Sequence, residues 1–116
     1  CDQVQFGRGS RPVCPGQPAA LVDVGTSPQD VTPNGIRDLA GNAAEWVQDA
    51  FDRPAYGDCG DCRDPVQDLA PGAADDFRLF RGGSFRGPAW MARTTTRNRM
   101  KRDAVGDGIG FRCVFR

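Results

Sequence analysis

The sequence predicts one small α+β domain with little regular secondary structure: short strands, many turns and hardly any helix. Three observations predict it. The chain has 116 residues, a length that suits one compact domain and leaves no room for two. Its 15 glycines and 9 prolines make up about a fifth of the residues, where a usual share is nearer about an eighth. Of the 15 basic residues only Lys101 is a lysine, and of the 15 acidic ones only Glu45 is a glutamate. Two strong helix formers are thus almost missing.

Taken in order, residues 1–20 show no sustained periodicity and read as a loop pinned by Cys1 and Cys14. Leu21-Val22-Asp23-Val24 is a short strand candidate closed by Gly25-Thr26-Ser27-Pro28. Thr32-Pro33-Asn34-Gly35 is a turn, because proline fixes φ and Asn-Gly accepts positive φ. The run 36–49 has a loop at its middle and passes into a strand over Glu45–Phe51. Residues 52–76, rich in Asp, Pro, Gly and Cys, are too long for an ordinary connection, and an ordered excursion stapled by its cysteines is expected. Phe77-Arg78-Leu79-Phe80-Arg81 alternates as a strand and breaks at Gly82-Gly83. Met91–Arg102 is either a short helix or an extended arm, with three consecutive threonines set against the helix. Asp103–Gly110 is a glycine-rich turn, and Phe111–Phe115 reads as a closing strand. There are no internal repeats.

The formal net charge is zero, which argues against a general polyanion binder while leaving room for a local basic patch. Arg81-Gly82-Gly83 in an Arg/Gly/Phe-rich stretch has the look of an RGG-type RNA-binding segment. A single triplet in a neutral chain, flanked by alternating Phe and Leu, reads better as a folded strand, so no nucleic-acid partner is expected. The chain has no histidine, which removes Ser-His-Asp triads, Cys-His dyads, His-bound iron and Cys₂His₂ zinc from within it. No apolar run approaches the roughly 20 residues of a membrane span, and no signal-peptide pattern opens the chain. It starts at Cys1 rather than Met, so residues upstream are expected.

Cysteines stand at 1, 14, 59, 62 and 113. In a reducing compartment Cys59-Gly60-Asp61-Cys62 would be half a zinc site or a redox pair. A zinc ribbon needs a second CxxC and a thioredoxin-like motif needs a βαβ context, and both are missing. The favoured reading is disulfides in an exported protein, placed outside the cell, at its surface or in the periplasm. Cys1–Cys14 and Cys59–Cys62 would close local loops. A cross-pairing such as Cys14 with Cys59 is permitted equally well by the odd count, which leaves one thiol over with a partner expected upstream.

Asp38-Leu39-Ala40-Gly41-Asn42-Ala43-Ala44-Glu45-Trp46-Val47, then Arg81-Gly82-Gly83-Ser84-Phe85, then Gly110-Phe111-Arg112 together resemble the sulfatase-modifying-factor family, that of the formylglycine-generating enzyme. The resemblance covers about residues 22–116. Family domains are about twice as long, so residues 1–116 look like the C-terminal portion of one, and the resemblance implies a partial formylglycine-generating-enzyme-like fold, related to C-type-lectin-like folds.

A glycine-containing loop bracketed by two carboxylates suits calcium, which takes six to eight hard oxygen ligands. The resemblance implies calcium here, on the side chains of Asp38 and Glu45 and the carbonyls of Gly41 and Ala43. The alternative is a tight turn in which Asp38 and Glu45 pair with nearby arginines. The family's copper-binding cysteines, five apart beyond the GGS motif, correspond to Gly87 and Ala92, which cannot ligate a soft metal ion. A tryptophan of its first motif is Ala44. Ser84 matches a serine near the family's reacting centre; with no histidine or lysine close in sequence it is an unactivated hydroxyl, best read as bonded to backbone after the Gly-Gly turn. Trp90 and Arg93 are candidates for the same cleft; the alternatives are core for Trp90 and an aspartate partner for Arg93.

The first functional reading is therefore a calcium-stabilised, non-catalytic module of an exported protein. It would pair with the upstream half of its own domain and serve a structural role or bind a protein or carbohydrate ligand. The second is a metal-dependent oxidoreductase, of formylglycine-generating or non-haem iron type, whose metal ligands lie upstream. A small disulfide-rich secreted domain is the third, and it requires all three motif matches to be accidental.

Overall fold

The computed structural model describes residues 20–51, 63, 66, 68 and 76–114, together with the backbone of residues 7–8 and 11–12. Two strands of two residues each, β1 (Gly7–Arg8) and β2 (Arg11–Pro12), pair antiparallel. The main sheet holds β3 (Ala44–Ala50), β4 (Phe77–Arg81), β5 (Asn98–Lys101) and β6 (Ile109–Gly110), in the spatial order β5-β4-β3-β6. β4 runs antiparallel to both neighbours, while β6 runs parallel to β3, with Ala44 opposite Ile109 and Glu45 opposite Gly110. The register of β3 on β4 shifts between Trp46 and Ala50, an irregularity that bends the strand and adds local twist. The sheet predominates. The helical content of the described residues is a 3₁₀ turn at Ala89–Ala92.

The core sits where β4 crosses the sheet. Leu79 and Phe80 are both buried, and because neighbouring strand residues face opposite ways, both faces of β4 are covered there. Ala44, Ala50 and Phe85 complete the buried apolar set. Trp46 meets Phe80 edge to face, with centroids 5.9 Å apart, a favoured aromatic geometry. β5 is an edge strand that keeps Arg99 and Lys101 in solvent, and such charges discourage further strand pairing. The Arg99 guanidinium lies 4.7 Å from the Phe51 ring centroid and 4.9 Å from that of Phe77, so its stem and cationic head cover aromatic surface that would otherwise meet water.

Several expectations hold closely. The strand over Phe77–Arg81 forms with those bounds, and the expected Glu45–Phe51 strand forms one residue earlier. Thr32–Gly35 is a turn, with Gly35 N–H donating to the Thr32 carbonyl at 2.9 Å and Gly35 at φ +80°. Two expectations need correction. Residues 21–24 are not a strand; the Asn42 side-chain amide binds both backbone groups of Val22, each at 3.0 Å, and takes the place of a partner strand. The closing strand is Ile109–Gly110 and not Phe111–Phe115: residues 111–114 leave the sheet, and Phe111 stays 76 % exposed. The Met91–Arg102 run divides between the two options. Pro88 precedes the single 3₁₀ turn, the threonines carry the chain around, and Asn98–Lys101 pairs with β4. Residues 52–62 lie outside the described residues, as does most of the rest of the expected excursion.

The sharpest constraint lies just past β4. Gly82 (φ +92°) and Gly83 (φ +71°) turn the chain under the loop that precedes β3, and Gly41 N–H donates to the Gly82 carbonyl at 2.6 Å. A Cβ on Gly82 would stand 2.8 Å from the Leu39 carbonyl oxygen, whereas a Cβ on Gly35, also at positive φ, would meet nothing within 4 Å. The two sites separate backbone strain from collision. Gly35→Ala is expected to lower unfolding free energy by about 1 kcal/mol, and Gly82→Ala by about 3 kcal/mol because overpacking adds to the strain. Urea denaturation of the two variants checks the difference; equal losses would mean that the Leu39 contact gives way freely.

Candidate functional site

The loop from Asp38 to Ala43 carries the most unusual backbone in the described chain. Asp38 (φ +55°), Gly41 (φ +91°) and Asn42 (φ +59°) all lie in the left-handed region, where a non-glycine residue needs local compensation. Each non-glycine residue has it. The Asp38 carboxylate Oδ2 accepts Gly25 N–H at 2.7 Å, Asp38 N–H donates to the Asp30 carbonyl at 3.0 Å, and Asn42 spends its amide on Val22. Asp30 Oδ2 in turn accepts Ala40 N–H at 2.8 Å. The loop is laced from three directions and delivers Glu45 at the start of β3.

Asp38, Gly41, Ala43 and Glu45, the four residues expected to hold calcium, line one open pocket of ≈ 660 Å³ with Arg112 among its walls. Arg112 determines the electrostatics. Its Nε donates to Glu45 Oε1 at 2.9 Å and Oε2 at 2.7 Å, and its Nη2 also bonds Oε1. Nη1 donates to the Arg37 carbonyl at 3.0 Å and Nη2 to the Asp38 carbonyl at 3.0 Å. The hydrogen bond to Glu45 is the main reason the Arg112 pKa is raised above its ordinary value; partial desolvation opposes it, and the charges of Glu45, Asp38 and Asp30 add to it.

The donors on offer are carboxylate and carbonyl oxygens, the hard set that suits calcium and not a soft metal, so the residues fit the ion chemically. Among the described residues no three His, Cys, Asp or Glu side chains cluster to hold a metal, and carbonyls would have to supply much of any coordination. Of the arginine pairs expected as the alternative, that of Glu45 forms, with Arg112, while the Asp38 carboxylate caps the Gly25 N–H. Arg112 belongs to the closing Gly110-Phe111-Arg112 motif, from which no role for its side chain is expected. The signal was there in the lone glutamate, which needs a partner, and in a motif arginine next to the sheet.

The second candidate region is a pocket of ≈ 390 Å³ beneath Ser84, Gly87, Met91 and Met100, with Arg86 and Asp107 among its lining residues. Those two pair with each other at 2.5 Å. Ser84 closes a turn: Gly87 N–H donates to its carbonyl at 2.9 Å and lies 3.2 Å from its Oγ, a backbone-bonded hydroxyl as expected. Trp90 is 51 % exposed and Arg93 is also exposed, and neither lines this pocket. At the two positions corresponding to the copper cysteines, a Cβ on Gly87 would lie 3.0 Å from Met91 Sδ, and Ala92 N stands 3.0 Å from a Cβ on Gly83. Cys1, Cys14, Cys59 and Cys62 lie outside the described residues. Cys113 is an exposed free thiol.

Comparison with known proteins gives two findings. The family described as "Sulfatase-modifying factor enzyme 1-like domain" matches residues 15–116. A protein named serine/threonine-protein kinase pkn1, from Chlamydia pneumoniae, is 33 % identical over 82 residues, which is 71 % of this chain and 13 % of that protein. The chain thus spans a small fraction of the length of this curated relative.

The Arg112–Glu45 pair is open to a direct energetic test. Its side chains are 37 % and 23 % exposed, so solvent screens it and a coupling of about 1 kcal/mol is expected in a double-mutant cycle of Glu45→Gln with Arg112→Gln. Because the folded Arg112 pKa is raised, its contribution is complete below the unfolded arginine value and is lost only as pH rises through the higher folded one. The coupling measured by denaturation should therefore not change with Arg112 ionisation around neutral pH.

Proposed function

The chain belongs to the sulfatase-modifying factor enzyme 1-like family, and on that premise we propose that it is a calcium-stabilised, non-catalytic module of an exported protein, serving a structural or ligand-binding role. The observation that carries the non-catalytic reading is the pair Gly87 and Ala92. The family's cysteine chemistry needs two thiolates there; this chain offers a hydrogen and a methyl group. The space beside Gly87 is also taken, since Met91 Sδ stands 3.0 Å from where a Cβ would begin. Among the described residues, the side chains around the Ser84 pocket supply neither thiol nor imidazole, and an unactivated serine is a weak nucleophile.

Calcium is supported by the pocket that gathers Asp38, Gly41, Ala43 and Glu45. When bound, the ion would neutralise the two carboxylates and tie the loop before β3 to the strand it precedes. Cysteine content supports the exported reading. The binding reading draws support from exposed apolar residues in the pocket wall: Val24 is 85 % exposed and Phe111 76 %. Such residues suit coverage by the upstream half of the same domain or by a protein or carbohydrate ligand. That a similar segment makes up 13 % of a protein named as a kinase fits a module placed inside larger chains. No helix among the described residues is long and apolar enough to cross a membrane.

The second reading, an oxidoreductase completed by metal ligands upstream, rests on the pocket at Ser84, which keeps ≈ 390 Å³ of mostly apolar space where a substrate side chain could lodge.

Two measurements test the proposal. Chelation of a calcium-loaded sample should lower the melting temperature by several degrees, as loss of any ligand specific to the folded state does, and Glu45→Gln should abolish that response. An unchanged melting temperature would remove calcium from the account. Copper-supplemented protein incubated with a cysteine-containing peptide should give no formylglycine above a copper-only control; turnover would restore the enzymatic reading.

A further inference from the structure

We propose that Arg112 is an internal cation that competes with calcium for Glu45, so that metal binding at this pocket releases the guanidinium and the segment 111–114 behind it. The inference rests on the calcium reading above and adds the residue that sets the affinity of the site. It starts from how fully the guanidinium is bound. Arg112 reaches four oxygens, Glu45 Oε1 and Oε2 and the carbonyls of Arg37 and Asp38. All four are hard donors of the kind a calcium ion would take.

Sharing is limited by lone pairs. A carboxylate offers about four acceptor sites, two on each oxygen. The single Nε–H of Arg112 is shared between Glu45 Oε1 and Oε2, and Nη2 also bonds Oε1, so the guanidinium engages both oxygens of the carboxylate. A metal drawing on Glu45 meets the guanidinium on the same two oxygens. Charge acts in the same direction. With the guanidinium in place, the charged residues of the pocket wall, Arg37, Asp38, Glu45 and Arg112, sum to zero; once it departs they carry a single negative charge, which favours a cation.

Little else holds the displaced segment. Residues 111–114 form no strand, and Phe111 and Val114 are 76 % and 82 % exposed. The hydrogen bonds of the Arg112 side chain are its strongest attachment beyond Gly110, whose strand pairs with Glu45. Metal occupancy and the position of this segment are therefore linked, and by reciprocity whatever holds Arg112 on Glu45 weakens the metal.

Calorimetric titration of the full chain with calcium chloride, compared with Arg112→Gln and Arg112→Lys, decides the matter. Competition predicts that Arg112→Gln binds calcium about tenfold more tightly or better. Arg112→Lys should fall between, because its ammonium keeps the charge and loses the two-pronged bond. Binding by Arg112→Gln alone would mean that the unaltered protein takes no calcium, and it overturns both the calcium reading and the release of Arg112 by the metal. Equal affinity in all three overturns the competition and leaves the calcium reading standing; no binding by any of them overturns both. Should Arg112→Gln fail to fold, hydrogen exchange on the unaltered protein decides. Amides of 111–114 exchange faster in saturating calcium under competition, and unchanged or slower exchange overturns it.

Discussion

The contact on which the rest of this structure depends is the approach of Gly82 to the carbonyl of Leu39. A side chain at 82 would stand 2.8 Å from that oxygen, so only a glycine lets the turn after β4 lie under the loop before β3. Once the two backbones touch, Gly41 N–H reaches the Gly82 carbonyl and Phe85 N–H reaches that of Asn42. The loop is then fixed in a shape that places Asp38 and Asn42 at positive φ. Those conformations are unfavourable alone, and the bonds from Asp38 to Gly25 and from Asn42 to Val22 offset them. A strained loop held in this way is a rigid one. Asp38, Gly41 and Ala43 of this loop line one pocket with Glu45 of β3.

Charge is settled by nearby partners. The protein is neutral, and several of its described arginines find partners close by: Arg86 pairs with Asp107, Arg102 with Asp76, Arg78 with the Gln48 carbonyl, and Arg81 with the carbonyls of Thr94 and Thr96. Planar guanidinium groups suit this work because they bridge carboxylates and carbonyls at once. Arg112 is the fullest case, joining Glu45 at the start of β3 to the backbone at residues 37 and 38. It cross-links the closing motif to the first one, so motifs far apart in sequence form one unit in space.

Much of this was legible in the sequence, for identifiable reasons. Phe77–Arg81 alternates and is bounded by Gly-Gly, so its strand appears with the expected ends. Thr32–Gly35 combines residues whose backbone preferences leave little choice. Asp38, Gly41, Ala43 and Glu45 line one pocket, because a short loop with a glycine at its turn leads directly into β3. The failures came from side chains doing backbone work. Val22 looks like a strand residue, and its hydrogen bonds go to the Asn42 amide, a partner that no periodicity reveals. The closing strand ends at Gly110 because Arg112 turns to Glu45, and an apolar Phe111 gave no warning of its exposure. The cleft expected around Ser84 gathers Gly87 and Met91, while Trp90 and Arg93 lie outside its lining. A 3₁₀ turn after Pro88 rotates these side chains in a way that sequence spacing does not encode.

The central claim is that one pocket, built on Glu45, accepts either the protein's own guanidinium or a calcium ion. The most direct test is the Arg112 Nε–H resonance followed by nuclear magnetic resonance of the unaltered protein through a calcium titration. The account predicts a hydrogen-bonded, slowly exchanging signal in chelator that is lost as calcium saturates the site. A signal that persists unchanged at saturating calcium would contradict it.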